Sequence, residues 1–102
     1  MENQTLHKAL QLACQPTHAG KICQGRQQIL SMDRALVLNT IERVAQKALN
    51  LTDYWEYRRF LEMCEMLDAS LVQRVAQWGI TQSDEDIRDA ARDFLLRPLR
   101  KG

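Results

Sequence analysis

Two histidines and two cysteines fall close together near the amino terminus: His7, Cys14, His18 and Cys23. Imidazole nitrogen and thiolate sulfur are ligands that zinc prefers. A structural zinc site usually takes its ligands as local pairs, two cysteines or two histidines a few residues apart, and the order His-Cys-His-Cys contains neither pair. A cysteine nucleophile would need an adjacent base and a third group to orient that base, and nothing in the sequence marks such a set. These residues read as two surface histidines and two packed cysteines, with no metal site. Carboxylate pairs such as Glu62/Glu65 and Asp89/Asp93 are interleaved with arginines, as on a solvated helix face. The chain has no glycine-rich phosphate loop, no His-Glu-x-x-His and no Gly-x-Ser-x-Gly. The expectation is a protein that is not an enzyme, with no catalytic residue and no cofactor.

The residues that do stand out are aromatic. The stretch "DYWEYRRF", Asp53 to Phe60, holds Tyr54, Trp55, Tyr57 and Phe60 from a chain with two each of Trp, Tyr and Phe. On a helical wheel, Tyr57, Leu61 and Cys64 form one side, flanked by Tyr54, Phe60 and Leu67. Trp55 points about 160° away from Tyr57 and shares its side with Arg59, Glu62 and Met66, with Met63 near. That side is either covered by a neighbouring helix or exposed as an interface anchor. The candidate partner-binding set is therefore Trp55, Arg59, Glu62 and Met66, together with Trp78, because Trp, Met and Arg are enriched in interface cores. A second candidate is the acidic set Asp84, Glu85, Asp86, Asp89 and Asp93, which would suit a basic partner. Helix capping accounts for the first three of these acids.

Nearly the whole chain has the periodicity of helices, and no useful length alternates with period two. The expected elements run from Glu2 to Cys14, His18 to Leu30, Asp33 to Leu49, a cap at Thr52 or Asp53 to Leu67, Asp68 to Gly79, and Ser83 to Arg97. Gly20 and Gly25 weaken the second of these. Asp53 and Glu56 have capping-box spacing, and Gly79 is placed as the left-handed residue past a helix end. Ile87, Ala90, Ala91, Phe94 and Leu95 make a clean apolar stripe.

Two stretches repeat. "MDRALVLNTIERVAQ" from Met32 and "LDASLVQRVAQ" from Leu67 share Asp-x-x-Leu-Val and then Arg-Val-Ala-Gln. The two motifs are offset by 35 and 31 residues, a difference of about one helical turn, so both keep the same face. At an offset of 30, Tyr57-Arg58 aligns with Ile87-Arg88, and Phe60-Leu61 with Ala90-Ala91. The fold expected is all-α: five to six helices as stacked antiparallel hairpins in one domain spanning 1–102. Its repeat units are 33–67 and 68–97, beside a divergent N-terminal helix pair, 2–30.

At "SDEDIRDAARDFL" the sequence resembles a HEAT-type repeat, whose helix often opens with acids, then Val or Ile with Arg, then paired alanines. The resemblance covers about Leu71 to Leu96, in units shorter than typical HEAT repeats, and implies a short α-solenoid that presents protein-binding surfaces. In size and helical make-up the chain is also similar to small cytosolic immunity proteins that neutralise bacterial toxins.

Composition narrows the classes further. With 14 Lys and Arg against 13 Asp and Glu, no general attraction to nucleic acid or acidic lipid follows. No apolar run approaches the ~18 residues a membrane span needs, and the first residues lack the pattern of a signal peptide. An odd cysteine count without framework spacing suits the cytoplasm. The leading expectation is a protein-binding module, most concretely an immunity-type inhibitor that occludes a toxin encoded nearby. The alternatives are a self-associating adaptor or structural subunit, and a nucleic-acid-binding regulator using Arg58, Arg59 and the tail residues Arg97, Arg100 and Lys101.

Overall fold

The computed structural model describes residues 4–97. Glu2, Arg100 and Lys101 lie outside the described residues. Six helices follow in order: α1 Gln4–Ala13, α2 Ala19–Leu30, α3 Arg34–Ala48, α4 Tyr54–Leu67, α5 Ala69–Ile80 and α6 Glu85–Leu96. The fold is all-α, as the periodicity predicts.

Short polar side chains set the helix starts. The carboxylates of Asp33, Asp53, Asp68 and Asp84 each accept a backbone N–H from the first turn of the helix that follows. His18 does the same for α2, its Nδ1 accepting the Lys21 N–H. Each cap satisfies a donor that the helix itself cannot, worth about 1 kcal/mol. At Asp53 the expected capping box is only half made. Asp53 accepts the Glu56 N–H at 3.0 Å, but the Glu56 carboxylate reaches back to the Asn50 N–H at 3.1 Å and ties down the α3–α4 connection instead.

Two expectations about glycine are corrected. Helix α2 is regular throughout, and Gly25 is where it meets α1. A Cβ there would lie 2.6 Å from Ala9 O and 2.8 Å from Leu12 Cβ, and closer still to Ala13 N. Gly79 does not end α5 in a left-handed turn. No glycine among the described residues has positive φ, and the helix runs on to Ile80. Gly79 is buried because the Tyr57 ring and Ala91 press against it.

One continuous core holds the helices together. It includes Leu6 and Leu10 of α1, Ile41 and Val44 of α3, Tyr57, Phe60 and Leu61 of α4, Leu71 of α5, and Ile87 of α6. The repeat keeps its burial pattern in the Arg-Val-Ala-Gln motif but not in Asp-x-x-Leu-Val, where Leu36 is exposed and its counterpart Leu71 is fully buried. Val44 and Ala45 are buried while Arg43 and Gln46 are exposed, as Val75 and Ala76 are against Arg74 and Gln77. The two repeat units nevertheless pack differently. Helices α5 and α6 close into a tight hairpin, as do α1 and α2, whereas α3 packs chiefly on α1, and α4 packs on α5 and α6. Side-chain size differs between them as well. Ala91 meets Gly79 of α5 at close range, whereas the repeat counterparts of Ala90 and Ala91 on α4 are the larger Phe60 and Leu61, and Phe60 lines open space beside α3. The described chain measures 31 × 28 × 28 Å, so the helices gather around one centre instead of extending along an axis.

The cysteines follow this burial. Cys14 and Cys64 are buried and Cys23 is exposed. Burial pushes the Cys14 thiol up to about 12, with Arg26 partly offsetting it, and also raises Cys64 well above its ordinary value. At about pH 8 a thiol reagent should label Cys23 in the native protein, and Cys14 and Cys64 only on unfolding. The Cys14 thiol's contribution to stability is complete below its unfolded value of 9.0 and declines as pH rises from there toward 12. Unfolding followed across that window should show falling stability, with a shallower fall in Cys14→Ala.

Candidate functional site

Trp55, Arg59, Glu62 and Met66 recur along α4 at the spacing of one helix face, opposite the Tyr57 side that enters the core. Among the described residues, no neighbouring helix fully covers Trp55, which is 48% exposed, or Met66, which is 42% exposed. Met63, which the wheel places near them, is fully buried, so the covered arc of α4 is wider than its periodicity alone indicates. The Trp55 ring is held on two sides. Tyr54 meets it edge-on with centroids 5.1 Å apart, and the Arg59 guanidinium lies 5.5 Å from its centroid. Such cation–π contacts restrain an aromatic without covering it.

Arg59 is itself fixed. Its Nη1 donates to Glu62 Oε1 at 3.0 Å, and its Nη2 donates to Pro16 O at 3.0 Å, in the connection between α1 and α2. Arg26 of α2 reaches the same Glu62 oxygen at 2.5 Å. Glu62 thus receives two guanidiniums, and α4 is fastened to both α2 and the loop before it. Arg34, the first residue of α3, donates to Leu67 O at the end of α4. The start of α3 therefore lies against the C-terminal end of α4, near which Met66 is exposed.

Trp78 does not join this face. Its ring sits 5.6 Å from that of Tyr57, on the far side of α4. There it lines a cleft of about 440 Å³ left where α3 and α4 fail to close. Phe60, Leu49, Leu51 and Val75 form the apolar lining, while Arg74 and Glu42 form an ion pair at 3.0 Å.

The acids of α6 are largely engaged in the fold. Asp84 caps the helix by accepting the Asp86 and Ile87 N–H groups. Asp89 pairs with Arg92, and Asp93 accepts from Arg58 at 3.0 Å and from Arg97 at 3.4 Å. Arg58 and Arg97 also flank the Phe94 ring, at 5.3 and 3.9 Å from its centroid. Glu85 and Asp86 remain exposed in the first turn, where the helix dipole already favours them.

Among the described residues, no three His, Cys, Asp or Glu side chains converge in a metal-binding group. Also among those residues, no helix is long and apolar enough to cross a membrane. Arg26 is the site residue that sequence reasoning missed. It lies 36 positions from Glu62, beyond any local spacing rule, and no periodicity marks it. Compared with family models, curated proteins and solved structures, the chain matches none of them.

Proposed function

We propose that the protein is a non-enzymatic, single-domain binding module that acts by covering part of a partner protein, as an immunity-type inhibitor covers a toxin. The observation that carries this reading is Trp55: a large aromatic, half exposed, on a helix whose opposite side is the centre of the core. A rigid aromatic beside a fixed arginine is the composition of an interface hot spot, because little conformational entropy remains to be lost on binding. The α6 acids support a basic partner less well, since Asp84, Asp89 and Asp93 are already engaged. Nucleic-acid binding through Arg58 and Arg59 would require breaking their bonds to Asp93 and Glu62.

The test is a pull-down and co-expression with the protein encoded by the adjacent gene. The expected result is a complex and relief of that protein's toxicity. Trp55→Ala should weaken the complex by at least about thirtyfold, the usual cost of truncating a hot spot, while changing folding stability by less than about 1 kcal/mol. Absence of both binding and protection removes the immunity reading. A tight dimer of this chain that Trp55→Ala dissociates would assign the same face to self-association.

A further inference from the structure

The cleft beside Trp78 is a groove between two helices that run in the same direction. Arg34 at the start of α3 meets Asp68, the cap of α5, at 3.3 Å. Further along both helices, Glu42 of α3 meets Arg74 of α5 at 3.0 Å. Despite these two bridges α3 and α5 do not pack closely on each other. Phe60 of α4 and the α3–α4 connection, through Leu51 and Thr52, complete the walls. The volume of about 440 Å³ lies within the roughly 300–1,000 Å³ of pockets that hold small organic ligands. Leu49, Leu51, Phe60 and Val75 make the lining apolar, and Trp78 adds a partly exposed aromatic ring. Glu42 and Arg74 are the charged residues of the lining, and their charges cancel. Arg74 directs both Nε and Nη2 to one oxygen, Glu42 Oε1. Among the described residues, Glu42 Oε2, Arg74 Nη1 and the Gln46 amide have no hydrogen-bond partner.

We propose that this cleft binds a small, uncharged, flat heterocycle that carries both a hydrogen-bond donor and an acceptor. Flatness follows from Trp78, whose ring offers a stacking surface beside apolar walls. Neutrality follows from the ion pair. A charged ligand would give up its hydration to meet one like and one opposite charge that already match each other. The donor and acceptor follow from the polar atoms without partners. A purely apolar ligand would cover Glu42 Oε2 and Arg74 Nη1 and leave both unpaired, which is costly. Free heterocycles and the bases of single-stranded nucleic acid share this chemistry. The lining holds no unmatched cation for the phosphates that accompany a base in a chain, so the ligand is the free molecule. The proposal does not rest on the α4 docking face, which lies on another side of that helix, and adds a second ligand class to it.

The test is an NMR titration of the isotope-labelled full chain with three bicyclic probes of similar size. Quinazolinone is uncharged and has a donor and an acceptor, isoquinoline has an acceptor alone, and naphthoate is flat but charged. Quinazolinone should shift the Trp78 indole N–H signal saturably and leave that of Trp55 in place. Isoquinoline should bind several-fold more weakly, and naphthoate about tenfold or more. Gln46→Phe, at an exposed position of the lining, should fill the mouth and weaken quinazolinone about tenfold or more. Glu42→Gln keeps the shape of the site but leaves Arg74 unmatched, so it should reverse the preference in favour of naphthoate. A merely structural cleft would show neither the preference nor its reversal. The proposal is overturned if quinazolinone causes no saturable shift at Trp78, if naphthoate binds the parent as tightly, or if Gln46→Phe leaves binding intact. A short single-stranded RNA that shifts Trp78 at lower concentration than quinazolinone also overturns it and assigns the cleft to a base within a chain. These signals are read without a partner protein, so a failed pull-down and a failed titration are separate results.

Discussion

Gly79→Ala should destabilise the protein by about 2–3 kcal/mol, although alanine is the better helix former by about 1 kcal/mol. The reversal comes from α4. A Cβ at position 79 would lie 2.7 Å from Tyr57 Cζ and 2.9 Å from Ala91 Cβ, and closer still to Tyr57 Oη. The Tyr57 ring is fully buried and cannot swing away without leaving the core. Its hydroxyl donates to Val75 O at 2.8 Å, and displacing the ring breaks that buried bond as well. Thermal unfolding should show a midpoint about 10–20 °C lower. Tyr57→Phe removes the oxygen nearest the new methyl group, so Gly79→Ala should cost roughly 1 kcal/mol less in that background. Some cost should persist, because Cζ and Ala91 remain. A Gly79→Ala protein as stable as the parent would mean that α4, α5 and α6 do not meet at this point.

The two glycines also show where sequence reasoning reaches its limit. A glycine late in a helical stretch reads as a helix end, because positive φ is the usual reason to place one there. Close packing is the other reason, and it depends on a side chain 22 positions earlier in the chain. The α-helical stripes, the Asp caps and the repeat were all legible, since each depends on neighbours within a turn or two. The asymmetry between the repeat units was visible in principle as Phe60-Leu61 against Ala90-Ala91. The cleft that Phe60 lines is not legible from that asymmetry, because its other walls are α3 and, from α5, Arg74, Val75 and Trp78.

The candidate site divides along the same line. Trp55, Arg59, Glu62 and Met66 share a face by helical spacing alone, and the structure keeps them together. Trp78 was grouped with them by residue type, and three-dimensional packing places it against Tyr57 instead. The α6 acids have the composition of a patch, but Arg58, Arg92 and Arg97 draw two of them into ion pairs. Of those three arginines only Arg92 and Arg97 are near these acids in sequence. Charge read along a chain therefore overstates what a surface offers to a partner, whereas an exposed tryptophan is harder to conceal.

Gly25→Ala should be at least as disruptive as Gly79→Ala, at about 3 kcal/mol or more, and its damage should extend to the binding face. The atoms that a Cβ would strike are mostly backbone: Ala9 O at 2.6 Å, and Ala13 N closer still. A side chain can change rotamer, but two helical backbones can only part. Parting α1 from α2 loosens the packing around Leu10, Ala13 and Ile29, all buried. Arg26 is the next residue, so any displacement of α2 draws its guanidinium off Glu62. Hydrogen exchange should therefore lose protection in α1 and α2 before α5 and α6, which pack tightly on each other without contribution from Gly25. Partner binding should fall in Gly25→Ala even where α4 stays folded, and Arg26→Gln, which leaves the α1–α2 crossing intact, should reproduce the binding defect without the loss of stability. If Gly25→Ala loses stability but keeps full affinity, α2 is a support for the fold and the binding face belongs to α4 alone.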